Sequence, residues 1–267
     1  MAVFLDLENI ALGAHDAHYP PFTIQKVLER LLLKGHIVVK KAYCDFDRYK
    51  AFKRDLHETA FELIEIPHVR QSGKNSADIR MVVDALDLCY TKPHVDTFVI
   101  LSGDSDFSPL VSKLRENAKK VIGVGVKNST SDLLTASCDE FIFYDDLVRK
   151  GEKQKRERRR AAPASTPGGK GAAKKTEKKD EDRLQNALDL IVETIDMLIE
   201  ERGDEVPIWG SMVKQAIKRR KPGFDESYYG FRAFSQLLEE AHRQGLVELE
   251  LDKRSGGYIV KPVYTES

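Results

Sequence analysis

The chain has 267 residues, with 43 Lys+Arg against 43 Asp+Glu for a formal net charge of zero, and 41% of its residues are hydrophobic. That length suggests two domains, and the apolar content supports a real core and excludes wholesale disorder. Cys44, Cys89 and Cys138 are too widely spaced for a CxxC zinc pair or a disulfide framework, which fits a reducing compartment.

The N-terminus lacks a basic leader and meets an acid at Asp6, so no signal peptide is expected. Val3–Leu5 reads as a short strand ending at Asp6. After Pro20-Pro21, Ile24, Val27, Leu28, Leu31 and Leu32 fall at helical spacing and predict a helix over 23–33. The β-branched run 37–43 predicts a second strand, 48–60 a helix, and 62–66 a strand stopped by Pro67. A loop over 69–76 leads to a helix over 77–90. Then come a buried strand over 97–101, a helix over 107–117, a strand over 121–126, a short helix over 132–137 and a final strand over 140–143. This alternation predicts one α/β domain over residues 1–150, with a parallel sheet flanked by helices.

Zero net charge conceals an uneven layout. Residues 1–150 carry a net of −2, residues 151–182 a net of +5 and residues 183–267 a net of −3. The middle block, rich in Lys, Arg, Ala, Pro and Gly, lacks apolar groups larger than alanine and is expected to be a flexible basic linker. It reads equally as a solvated tether and as a strand that sits on a nucleic-acid backbone. Beyond it, Leu184, Ala187, Leu188, Ile191, Val192, Ile195, Leu198 and Ile199 predict a long amphipathic helix ending near Arg202-Gly203. A helix over 210–220, another over 229–244 and strands over 246–251 and 257–260 complete a small winged helix-turn-helix. No apolar run is long enough to cross a bilayer, so a cytoplasmic protein with no membrane partner is expected.

The chemistry is expected where acids gather. In open parallel sheets ligands bind outside the carboxyl ends of the strands. Asp6 ends the first strand, Asp104 and Asp106 follow the 97–101 strand, and Asp78 opens the helix after the third strand, so all four converge on one edge. Clustered carboxylates ionise at neutral pH only with a compensating cation, and oxygen ligands suit Mg²⁺ or Mn²⁺. The seven histidines show no ligand spacing, which argues against zinc. An Asp after a strand is also an ordinary helix cap, and each acid taken singly reads that way. Lys74 and Arg80, near the same edge, are candidates to meet an RNA phosphate, although Arg80 reads equally as the partner of a nearby acid.

The stretches Phe4-Leu5-Asp6-Leu7-Glu8-Asn9-Ile10, Lys74-Asn75-Ser76-Ala77-Asp78 with Asp84 beyond, and Leu101-Ser102-Gly103-Asp104-Ser105-Asp106-Phe107 resemble the NYN domain family of the PIN-like nuclease superfamily. Ser102–Phe107 matches that family's third motif in full. At Asp78 the match is looser, because Gly73 and Lys74 precede it in reversed order and at longer spacing. The resemblance, over about residues 2–148, implies a metal-dependent ribonuclease of endonuclease type. Asp6, Asn9, Asp78, Asp104 and Asp106 would be its catalytic residues. The four acids would hold Mg²⁺ or Mn²⁺, and Asn9 would orient a ligand or the scissile phosphate.

Residues 213–222, Phe224–Phe231 and Gly245-Leu246-Val247 resemble the LOTUS domain, also called OST-HTH, over about residues 183–262. That resemblance implies RNA binding, with a protein partner as the alternative. Lys218, Arg219, Arg220 and Lys221 are its candidate phosphate contacts, and Tyr228 and Tyr229 its candidate base-stacking residues. A solvated helix end explains the same cations through the helix dipole. Two competing readings of the whole chain remain. One is an inactive NYN platform acting as an RNA or protein adaptor. The other is a haloacid-dehalogenase-like phosphatase, which needs an Asp where this chain has Glu8.

Overall fold

The computed structural model describes residues 1–19, 21–66, 76–149, 174–203, 206–253 and 255–263, and of 174–182 only the backbone. The chain splits into two compact units, Met1–Leu31 with Gly35–Pro163 and Leu32–Lys34 with Ala164–Ser267. The first runs β1 (Ala2–Asp6), α1 (Leu7–Asp16), α2 (Ile24–Lys34), β2 (Val39–Cys44), α3 (Lys50–Glu58), β3 (Glu62–Glu65), α4 (Ser76–Thr91), β4 (Thr97–Leu101), α5 (Ser108–Glu116), β5 (Lys120–Gly125), α6 (Asp132–Ser137) and β6 (Glu140–Phe143). All strands pair in parallel, in the order β3-β2-β1-β4-β5-β6.

Side-chain alternation along each strand builds two cores, one per face. Val3, Leu5, Val99, Leu101, Ile122 and Val124 point to one face and pack with Ile10, Val27, Leu31 and Leu56 of α1, α2 and α3. Phe4, Phe98, Ile100 and Val121 point to the other and meet Met81, Ala85, Leu110, Leu114 and Leu134 of α4, α5 and α6. With both faces covered, β1 is buried along its whole length, as its apolar run requires. The chain lays β1, β2 and β3 outward in one direction, then returns to place β4 against the other side of β1. This reversal of order opens a crevice at the carboxyl ends of β1 and β4.

The α/β alternation agrees with the sequence pattern, and the structure adds a helix that the pattern does not give. Helix α1 begins directly at the residue after β1, with Asp6 serving as both strand end and N-cap. No turn residue separates the two elements, so the pattern gives no sign of the boundary. The helix expected over 48–60 is shorter, and Ala60 beyond it adopts φ 57°.

The second unit holds α7 (Lys174–Arg202), β7 (Ile208–Trp209), α8 (Gly210–Arg220), α9 (Phe234–Arg243), β8 (Val247–Leu251) and β9 (Tyr258–Pro262). Its sheet is antiparallel in the order β7-β9-β8. Leu188, Ile191 and Ile195 of α7, Val213 and Ile217 of α8, Leu237 and Leu238 of α9, and Val247 and Val260 of the sheet form its core. Three helices and a wing are present as the pattern predicts, and two boundaries differ. The expected linker ends earlier, because α7 already includes 174–182. Its Lys and Glu residues are good helix formers, and lengthening an existing helix needs no new nucleus. The remainder of that linker, 151–173, lies outside the described residues. The helix expected over 229–244 begins at Phe234 instead, since Gly230 at φ 86° ends a separate 3₁₀ turn over Glu226–Tyr229. Among the described residues no helix is long and apolar enough to cross a membrane.

Arg220 ties α8 to α7. Its guanidinium donates to Thr194 Oγ1 and to Glu193 Oε1, each at 3.0 Å, and its side chain is only 5% exposed. Removing one partner of such a pair strands the other in a dry setting. Arg220→Ala is therefore expected to cost about 3 kcal/mol, read as a lowered denaturant midpoint for this unit.

Candidate active site at the carboxyl edge of the sheet

Asp6 sits at the crevice between β1 and β4, 9% exposed. Both of its oxygens are occupied. The Asn9 N–H donates to Oδ1 at 3.2 Å, and the Ser102 hydroxyl donates to Oδ2 at 2.9 Å. Ser102 in turn accepts from the Asp104 N–H at 3.2 Å, and Asn9 Oδ1 accepts from the Gly103 N–H at 2.8 Å. These four bonds lock the end of β1 to the turn after β4. Asp104 caps its own 3₁₀ turn, accepting from the Asp106 N–H at 2.9 Å. Gly103 is required sterically, because a Cβ there would lie 2.2 Å from the Ser129 carbonyl oxygen.

Capping alone does not account for this arrangement. A carboxylate that merely caps a helix is stabilised as the anion and keeps a low pKa. Burial instead pushes the Asp6 carboxyl up from its ordinary value to about 7. The hydrogen bonds from Asn9 and Ser102 oppose that rise, and the charges of Asp78 and Asp104 add to it. Asp78, in the first turn of α4, is pushed up to about 6, first by burial and then by the charges of Asp104, Asp106 and Glu8. The charges of Asp78, Asp104 and Asp106 are thus felt at Asp6 or at Asp78. Among the described residues, however, no group of three or more His, Cys, Asp or Glu side chains closes into a ready-made metal cage.

Two members of the site lie inside the resembling stretches but outside the expected catalytic set. Ser102 carries the hydroxyl that bridges Asp6 to the Asp104 backbone, and its signal in the sequence is its place ahead of Gly103-Asp104. Glu8 adds a further carboxylate from the first turn of α1, paired with Arg48 at 3.5 Å. Asn9 also has a structural part: its carbonyl oxygen accepts from the Gly103 amide, and a phosphate, itself an acceptor, would look to the Asn9 Nδ2 instead.

The candidate RNA contacts separate into distinct groups. Lys74 lies outside the described residues. Arg80 is half exposed and pairs with Asp84 at 3.0 Å, an acid that also accepts from the Tyr43 hydroxyl at 2.9 Å. In the second unit Lys218 and Lys221 are exposed and Arg219 is partly exposed. Arg220 is a correction to the expected cluster, because its guanidinium is buried against Glu193 and Thr194. Tyr228 is 59% exposed, with the Arg183 guanidinium 4.9 Å from its ring centroid. Tyr229 instead packs its ring 5.4 Å from Phe224, on the core side.

Two outcomes test this geometry. Gly103→Ala is expected to cost about 1–3 kcal/mol through overpacking against the 129–130 backbone, seen as a lowered melting temperature. Asp6 keeps its proton to about pH 7 in the folded chain, whereas an unfolded chain releases it near pH 3.9. The folded state binds more protons between those values, so stability in EDTA should fall as pH rises from 4 to 7. Asp6→Asn removes that loss. The variant should match wild type near pH 4 and exceed it at pH 8 by a few kcal/mol, about 1.4 for each pH step over which only the folded chain holds the proton. Thermal melts across that range read the difference.

Known proteins resemble this chain over part of its length. It is 29% identical over 139 residues to an uncharacterised protein of Methanocaldococcus jannaschii, covering 49% of this chain and 55% of that one. It is 25% identical over 148 residues to the meiosis regulator and mRNA stability factor 1 of Xenopus tropicalis, covering 55% of this chain and 9% of that one. The chain therefore spans about half the length of the first relative and under a tenth of the second. A crystal structure of a protein of unknown function from Vibrio parahaemolyticus is 27% identical, with a TM-score of 0.49, over 55% of this chain and 93% of that one. Residues 1–145, which include every acid of the sheet edge, match the NYN domain, and the chain belongs to that family.

Proposed function

We propose that this chain is a metal-dependent ribonuclease that hydrolyses RNA phosphodiester bonds at the carboxyl edge of its parallel sheet. The NYN domain belongs to the PIN-like nuclease superfamily, which supports a nuclease-like, RNA-related role. The observation that carries the reading is Asp6: a buried carboxyl raised to about 7 with Asp78 and Asp104 beside it. Among the described residues no basic side chain lowers the Asp6 or Asp78 carboxyl, and a divalent cation would let them ionise together.

The donor set fits a hard cation in kind. Mg²⁺ and Mn²⁺ take oxygen ligands, and Mg²⁺ commonly keeps several waters while using one or two carboxylates. Asp6, Asp78, Asp104 and Asp106 would hold the ion. When bound, it would lower the pKa of a coordinated water and stabilise charge on a phosphodiester oxygen. The chain's own residues supply rigidity. Asn9 and Ser102 fix both oxygens of Asp6 and hold the Asp104 turn against it, so the carboxylates meet the substrate already oriented.

The C-terminal unit is proposed to be a LOTUS-type domain that recruits RNA. Lys218 and Lys221 present exposed charge, and Tyr228 presents an exposed ring beside the Arg183 guanidinium. Its net acidity means that this contact works through a local patch rather than an overall field. A second reading, an inactive NYN platform acting as an RNA or protein adaptor, is favoured by the open spacing of the acids.

Cleavage of end-labelled single-stranded RNA in Mn²⁺, Mg²⁺ or EDTA separates the two. Wild type should cut only with metal, and Asp104→Asn should lose at least about 100-fold of that activity (electrostatic terms of this kind are worth 10²–10³ in rate) while folding and RNA affinity persist. Equal residual cutting by both proteins would leave the adaptor reading standing.

A further inference from the structure

Two pairs of a cation and an aromatic ring flank the acids along the same edge. On the β2 side, the Arg48 guanidinium lies 5.9 Å from the Tyr49 ring centroid and 3.5 Å from Glu8. On the far side, Lys127 follows β5, with its ammonium 5.3 Å from the Phe143 ring centroid at the end of β6 and 3.6 Å from Asp146. Both cations are about half exposed, at 53% and 46%. Tyr49 and Phe143 are each only partly buried. Neither ion pair has the burial that would make it important to folding.

The strand order fixes what lies between these pairs. Asp6 and Asp104 leave the central strands β1 and β4, Arg48 follows β2 on one side, and Lys127 follows β5 with its tip over β6 on the other. Neighbouring strands stand about 4.8 Å apart, so the interval from β2 to β6 is about 19 Å. The acids repel phosphates, so this edge must hold a polyanion by its flanks. A cation beside a partly exposed ring is a combination that holds a single strand regardless of sequence, the charge on the backbone and the ring against a base.

We infer that one single-stranded RNA segment crosses this edge at right angles to the strands. Arg48 and Tyr49 hold it on one side of the scissile phosphate, and Lys127 and Phe143 hold it on the other. Glu8 and Asp146 keep the two cations at the edge in the free protein. The inference rests on the nuclease reading for the identity of the centre, but the flanking contacts can be measured without catalysis.

The test uses the full chain as wild type, Arg48→Ala, Lys127→Ala and the double variant. Binding of a fluorescent single-stranded RNA is followed by anisotropy in EDTA over a range of NaCl. The double variant should bind about tenfold more weakly, and its slope of log affinity against log salt should flatten by about 1.4, two phosphate contacts at roughly 0.7 each. In Mn²⁺, KM should rise in proportion while kcat stays within twofold. Arg48→Lys with Lys127→Arg should restore the slope, and Tyr49→Leu should weaken single-stranded RNA but not duplex. An unchanged slope, or a loss confined to kcat, overturns the inference. If wild type fails to cut RNA, the nuclease reading falls while the EDTA binding arm still decides the flanking contacts.

Discussion

The cost of holding the Asp6 carboxyl out of water, at the point where the strand order reverses, governs the first unit. β1 is buried along its whole length, so its last residue meets little solvent wherever it points. An apolar residue there would be the simplest solution for stability. The chain instead places a carboxyl and surrounds it with two donors, a hydroxyl and a backbone amide, that partly offset the loss of hydration. Those donors come from residues that would otherwise be ordinary: the third residue of a helix and the first residue of a turn. The supporting structure around the acids is therefore built from backbone geometry more than from further charges.

Much of this is legible in the sequence, because parallel strands write themselves as short apolar runs, and because acids at their ends can be traced to a common edge. Asp6 and Asp104, a hundred residues apart in the chain, are brought together by strand alternation alone. Helix α1 is not legible: it follows β1 without a spacer, and Gly13 and His15 weaken its pattern. Glu8 stands out only against a phosphatase motif, because an acid in a first helical turn carries no mark of what it faces. The looser Lys74–Asp78 stretch opens among residues outside the described set, so its spacing finds no further support.

In the second unit the misplaced residue carries a recoverable signal. Lys218, Arg219, Arg220 and Lys221 read as one basic cluster because adjacent residues look alike in a sequence. A helix separates them. Val213, Ala216 and Ile217 line the buried face of α8, and Arg220 falls seven, four and three residues beyond them, on the same stripe. Its inward position follows from periodicity, and its charge is tolerated because Glu193 and Thr194 meet it. Tyr228 and Tyr229 divide in the same manner, one ring facing out and the other against Phe224.

The close approach at Gly103 reaches beyond its own residue. The turn after β4 rests on the backbone of residues 129 and 130, and the Ser131 N–H donates to the Gly103 carbonyl at 2.9 Å. Main chain presses on main chain, so the position of Asp104 depends on how long the segment after β5 is and hardly on which side chains it carries. For the placement of Asp104, the constraint on that segment is its length. A single inserted residue there would displace an acid that it never touches.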